Sequence, residues 1–154
     1  MFTGPFAIFI EYGSGDISWR TSVSGLRLHS RIFVVDDEFI IASTLATILQ
    51  RNGFDAVFFT EPLAVLPAAR ERAPDLLITD VVMPSMSGID LAIALKAEFP
   101  DCKVLLFSGQ AATANLLEAA RAQGHDFELL SKPIHPTEFL KKIRNVAETE
   151  EPVA

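Results

Sequence analysis

Several features that would mark other classes of protein are scarce in this chain of 154 residues. A single cysteine, Cys102, excludes an intrachain disulfide framework and a cysteine-rich metal site. It precedes an apolar run and is expected to be a small, partly buried filler rather than a reactive thiol. His29, His125 and His135 show no ligand spacing, so solvated or capping roles are expected of them. No apolar run approaches the roughly 18 residues a membrane helix needs. The run Phe6 to Ile10 is stopped by Glu11 and has no basic residue before it, unlike a secretory signal. A cytoplasmic location without membrane contact is the expectation. Basic surplus is also missing: 13 Lys and Arg stand against 20 Asp and Glu, for a net charge of −7. The whole imbalance falls after residue 30, and an acidic domain without a basic patch argues against direct nucleic-acid binding.

What is present is a globular composition, 49% apolar and 21% charged, in a length that suits one domain with its own core. Residues 1–30 hold scattered Gly and Ser and no sustained period, and are expected to form a weakly ordered extension. From Arg31 a rhythm sets in. Ile32 to Val35 is a β-branched and aromatic run that stops at Asp36, Asp37 and Glu38, acids that a strand interior would not tolerate. Phe39, Ile40, Leu45, Ile48 and Leu49 then follow a helical stripe that ends at Gly53. Ala56 to Phe59 reads as a second strand, with Thr60 as a helix cap before Glu61 and Pro62. In the helix from about Pro62 to Arg72, Pro67 should produce a kink or a restart.

Leu76 to Thr79 is a third strand, and Ser87 caps a helix to about Glu98. Val104 to Phe107 is a fourth strand and residues 112–122 a fourth helix. Phe127 to Leu130 is a fifth strand, and Pro136 opens a last helix buried through Phe139, Leu140, Ile143 and Val146. Five strands alternating with five helices predict an α/β fold, a doubly wound five-stranded parallel sheet with helices on both faces. The expected domain is 31–147, followed by a short acidic tail, 148–154, and by no second domain.

In a parallel sheet all carboxyl ends share one edge, where open α/β folds bind ligands. Asp36, Asp37 and Glu38 follow strand one, Asp80 strand three, Ser108 strand four and Lys132 strand five. Asp80 alone could simply begin a turn; what ends the other runs gives it meaning. Crowded carboxylates need a cation among them, and a hard divalent ion such as Mg²⁺ takes carboxylates, waters and a phosphate. With Lys132 as a second positive charge and the Ser108 hydroxyl as a donor, Asp80 is equipped to attack phosphorus and become an acyl phosphate. Glu38 reads better as favouring the start of the first helix than as a ligand.

The acidic pair in IFVVDDE, the segment ITDVVMPSMSGIDL, the strand end LLFSG and the pair Lys132 and Pro133 resemble the receiver domain of two-component response regulators, over about residues 31–147. The resemblance implies a flavodoxin-like receiver fold. It implies Asp80 as phosphoacceptor, Asp37 as a direct Mg²⁺ ligand, Asp36 as a ligand through water, and the backbone carbonyl of Val82 as another. Ser108 would be the hydroxyl position and Lys132 the phosphate-pairing lysine, with Met83, Pro84 and Gly88 shaping the loop after the acceptor. Where the family often has an aromatic residue three positions before the lysine, Leu129 stands. Val82 and Gln110 occupy positions linked with phosphoryl lifetime.

The implied function is a stand-alone phosphoryl-accepting switch. A histidine kinase or histidine phosphotransfer protein would supply the group, and the fourth and fifth helices with the fifth strand would pass the signal to a protein target. Such a domain catalyses its own phosphorylation and dephosphorylation without turning over an external substrate. A receiver-like binding module that is never phosphorylated is the alternative, against which the complete set of Asp36, Asp37, Asp80, Ser108 and Lys132 argues. An aspartyl-phosphate hydrolase would need a second acid where Val82 stands.

Overall fold

The computed structural model describes residues 30–109 and 113–149. Residues 1–29 of the expected extension, Gln110, residue 112 of the expected fourth helix and residues 150–154 of the acidic tail lie outside them. The elements alternate as anticipated: β1 Arg31–Val35, α1 Phe39–Arg51, β2 Asp55–Phe59, α2 Val65–Glu71, β3 Leu76–Asp80, α3 Gly88–Glu98, β4 Lys103–Ser108, α4 Thr113–Ala122, β5 Glu128–Ser131 and α5 Pro136–Thr149. All strands are parallel, in the order β2-β1-β3-β4-β5. This is the flavodoxin-like order, which reverses direction between β1 and β3 and opens a crevice at their carboxyl ends.

Strands buried on both faces must be apolar throughout, and β3 is buried at every residue. Alternate residues feed two cores. Ile32, Val34, Ile78, Leu105 and Phe107 pack with Leu45 and Leu49 of α1 and Phe139 and Ile143 of α5. Phe33, Val35, Leu77 and Leu106 pack with Val65 of α2, Leu91 and Leu95 of α3 and Ala120 of α4. Cys102 joins the second core and is 2% exposed, more deeply buried than expected. Desolvation pushes its thiol up to about 12.

The helix after β2 differs from the sequence reading in one respect and agrees in another. Glu61, not Thr60, supplies the cap, its carboxylate accepting from the Leu63 amide at 3.2 Å. A 3-10 turn over Pro62–Ala64 comes first, and the helix restarts at Val65. Pro67 therefore sits in a first turn, where its missing N–H leaves no intrahelical bond unmade. Ser87 does cap α3, accepting from the Asp90 amide at 3.0 Å. Strands β3, β4 and β5 each run one residue further than the apolar runs suggested, so Asp80, Ser108 and Ser131 are the last paired residues.

Candidate functional site

Register brings the polar residues together. Val34 lies opposite Ile78, and because side chains alternate across a strand, Asp36 and Asp80, two residues further on, share one face of the sheet. Asp80 is opposite Phe107 and Phe107 opposite Leu130. Lys132, two past Leu130, is on that face too. The row at the carboxyl edge thus reads Asp36, Asp80, Phe107 and Lys132, from segments nearly one hundred residues apart.

Lys132 Nζ donates to Asp36 Oδ2 at 3.0 Å and lies 3.4 Å from Asp80 Oδ1. The second Asp36 oxygen accepts from the Glu38 amide at 2.8 Å, and Asp80 Oδ1 accepts from the Val81 amide at 2.9 Å. Asp36 is fully buried and Asp80 nearly so, whereas Asp37 is exposed. One oxygen from each of the three falls within 4.8 Å of the others. Three carboxylates against one ammonium leave a surplus of negative charge.

Burial raises the Asp80 carboxyl above its ordinary range, and Asp36 adds to this, while Lys132 pulls the other way. Burial opposes the charge on Lys132 as well, but its hydrogen bond to Asp36 and the charges of Asp80 and Asp36 outweigh that and raise it. All-oxygen, anionic and partly exposed, the cluster suits a hard divalent cation such as Mg²⁺. That cation would neutralise the surplus charge of the three carboxylates and act as a Lewis acid toward an oxygen-bearing ligand.

The remaining site candidates sit around this row. Ser108 is buried at the end of β4, with Ser131 opposite and its carbonyl accepting from the Lys132 amide at 3.1 Å. Val82, beyond β3, is 47% exposed at the rim. Leu129 is partly buried in the second core among Phe127 and Leu117. His125 stacks on Phe127 with centroids 5.9 Å apart, and His135 Nδ1 caps α5 by accepting from Thr137. Neither belongs to the acidic cluster.

Two contributors were not visible as such in the sequence. Gly88 approaches the backbone of Asp80 so closely that an added Cβ would overlap the Asp80 carbonyl oxygen and stand 3.0 Å from Thr79 Oγ1. Phe107 puts its ring under Lys132, with Nζ 4.9 Å from the centroid. Its signal was the residue opposite Asp80, readable only once the register is known. Beside the row, a largely apolar hollow of about 480 Å³ is lined by Ile40, Ile41, Leu45, Phe107, Lys132 and Ile134, among others.

Comparison with known proteins agrees with this geometry. Response regulator receiver domain is the family that matches residues 32–144. The DNA-binding response regulator MtrA of Mycobacterium tuberculosis is 29% identical over 117 residues, which cover 76% of this chain and 50% of that protein. The transcriptional regulatory protein CreB of Escherichia coli is 33% identical over 115 residues, covering 75% and 49%. The chain therefore spans about half the length of these curated relatives.

Among solved structures, a response regulator receiver domain protein from Clostridium thermocellum matches with a TM-score of 0.67 at 28% identity, over 76% of this chain and 93% of that one. NtrX from Brucella abortus matches with a TM-score of 0.70 at 25% identity, over 79% and 28%. The strand order, the acidic crevice at its reversal point and the span of the family match together make this chain a member of the response regulator receiver domain family.

Proposed function

We propose that the chain is a phosphoryl-accepting signalling switch in which Asp80 takes the group from a histidine kinase or a histidine phosphotransfer protein. The observation that carries this is the meeting of Asp36, Asp37 and Asp80 oxygens within 4.8 Å, with the Lys132 ammonium 3.0 Å from one carboxylate and 3.4 Å from another. Asp37, the exposed acid, would hold Mg²⁺ directly, Asp36 through water, and Asp80 and the Val82 carbonyl would complete the protein's share. In the transfer, an Asp80 carboxylate oxygen forms a bond to phosphorus as the bond from phosphorus to the donor's imidazole nitrogen breaks. The nitrogen keeps the bonding electron pair. Lys132 and the Ser108 hydroxyl then meet the phosphoryl oxygens.

A protein donor is favoured by the surroundings. Phe39 and Ile40, directly after the acids, are 60% and 72% exposed, and the apolar hollow adjoins them. Apolar surface beside a charged pocket suits a partner that excludes water as it presents its phosphohistidine. The acidic balance after residue 30, 11 basic against 18 acidic side chains, favours protein over nucleic-acid contact by this domain. No helix among the described residues is long and apolar enough to cross a membrane. Phosphorylation would shift the population toward a surface that a downstream protein prefers.

The test is intact-mass measurement after incubation with acetyl phosphate and Mg²⁺. Wild type should gain one phosphoryl group and Asp80→Asn none; equal masses in both would end this reading.

A further inference from the structure

Three members of the row at the carboxyl edge are charged, and the fourth, Phe107, is not. Phe107 is fully buried and stands between Asp80 on one side and Leu130 on the other. Lys132 is its diagonal neighbour on the same face, a position within reach of an aromatic or long side chain. The lysine ammonium lies over the ring, 4.9 Å from the centroid, inside the distance at which the negative face of a benzene ring attracts a cation. The ammonium is thus bounded by carboxylates at 3.0 and 3.4 Å and by an aromatic face. The backbone beneath it is tied to β4 through the Lys132 amide and the Ser108 carbonyl at 3.1 Å.

These contacts differ in permanence. Carboxylates are claimed by any cation that enters the cluster, and the charge of Asp80 changes when it becomes an acyl phosphate. A lysine has a flexible four-carbon stem and, without its carboxylates, loses its fixed place. The Phe107 ring is neutral, buried and unaltered by either event. We propose that Phe107 is a positioning residue that holds the Lys132 ammonium at the acidic cluster through its ring face, and keeps it there when the carboxylates engage a cation. The hold on Lys132 stands on geometry alone; its importance for phosphoryl transfer rests on the reading of Asp80 as phosphoacceptor.

The test replaces Phe107, in the full chain, with phenylalanines bearing one, two and three fluorines, and separately with leucine. Fluorine drains the negative face of the ring while leaving its shape almost unchanged, so packing alone predicts no gradation. The first readout is the order of the Lys132 ε-carbon from ¹³C relaxation, with and without saturating Mg²⁺. The second is the phosphorylation rate with acetyl phosphate. Lysine order should fall stepwise with fluorine count, more steeply with Mg²⁺ present, and the rate should fall in parallel. For the trifluoro ring and for Phe107→Leu the rate should be about threefold to tenfold slower.

A flat response of lysine order across the fluorine series overturns the inference, whatever the leucine variant does. If wild type takes no phosphoryl group, the proposed function fails, and the relaxation series still decides whether the ring holds the lysine.

Discussion

Gly88→Ala sets two effects of opposite sign against each other. Gly88 opens α3, does not have a positive φ, and donates its amide to the Val81 carbonyl at 2.8 Å. Alanine is compatible with that backbone and in an exposed helix would gain about 1 kcal/mol over glycine. Here its Cβ would overlap the Asp80 carbonyl oxygen and stand 2.9 Å from the carbonyl carbon, in backbone that cannot swing aside like a side-chain tip. Relief requires a displacement on the order of 1 Å, and overpacking of this kind costs about 1–3 kcal/mol. The steric cost should win, lowering the melting temperature by roughly 3–8 °C.

The displaced atoms belong to Asp80, the proposed acceptor, so chemistry should suffer more than stability. A misplacement of about 1 Å can cost roughly a hundredfold in rate. Thermal melting followed by circular dichroism, with a mass-spectrometric time course in acetyl phosphate and Mg²⁺, measures both. An alanine variant that melts at or above wild type and is phosphorylated at the same rate would refute the reasoning, because it would mean the helix start yields without moving Asp80.

Other expectations follow from the same site. Burial holds the Asp80 carboxyl above its ordinary value, so the folded chain binds that proton more tightly than the unfolded chain. Its contribution to stability is full below the unfolded carboxylate value and is lost as pH rises through the folded one; in metal-free buffer Asp80→Asn should therefore melt higher than wild type at pH 7, with the gap closing on acidification. Mg²⁺ at a hundredfold excess over its Kd should stabilise wild type by about 2.7 kcal/mol, and Asp37→Asn should lose most of that gain in the same melts. Val82, apolar and half exposed at the rim, cannot orient a water toward the phosphoryl group; Val82→Glu should shorten the phosphoaspartate lifetime severalfold in a timed decay read by intact mass, and an unchanged decay would count against that role. Cys102, with its thiol at about 12, should resist a thiol-reactive disulfide reagent at pH 8 until the chain is unfolded.

The acids, the serine and the lysine at the strand ends could be read from the sequence because they interrupt apolar runs, and such an interruption is a local signal. Ser87 was legible as a cap for the same reason, since Ser before an apolar helical stripe has one main use. Thr60 misled because two adjacent residues could both cap, and the choice fell to the backbone path out of β2, which let Glu61 reach the Leu63 amide. Phe107 looked like any core residue, and Gly88 like a loop former, until neighbouring strands and the Asp80 carbonyl were in view.

By its order of residues alone, this chain determined that five strands would alternate with five helices and that their carboxyl ends would collect four acids, a hydroxyl and a lysine. Periodicity and the cost of burying charge operate within a few residues, so they can be read along the chain. The tertiary structure decided which of those groups touch. Lys132 reaches Asp36 at 3.0 Å as well as Asp80, Asp36 is buried while Asp37 meets solvent, and an aromatic ring lies under the ammonium. Those facts depend on strand register across the sheet, and register is set by packing between segments that the sequence keeps far apart.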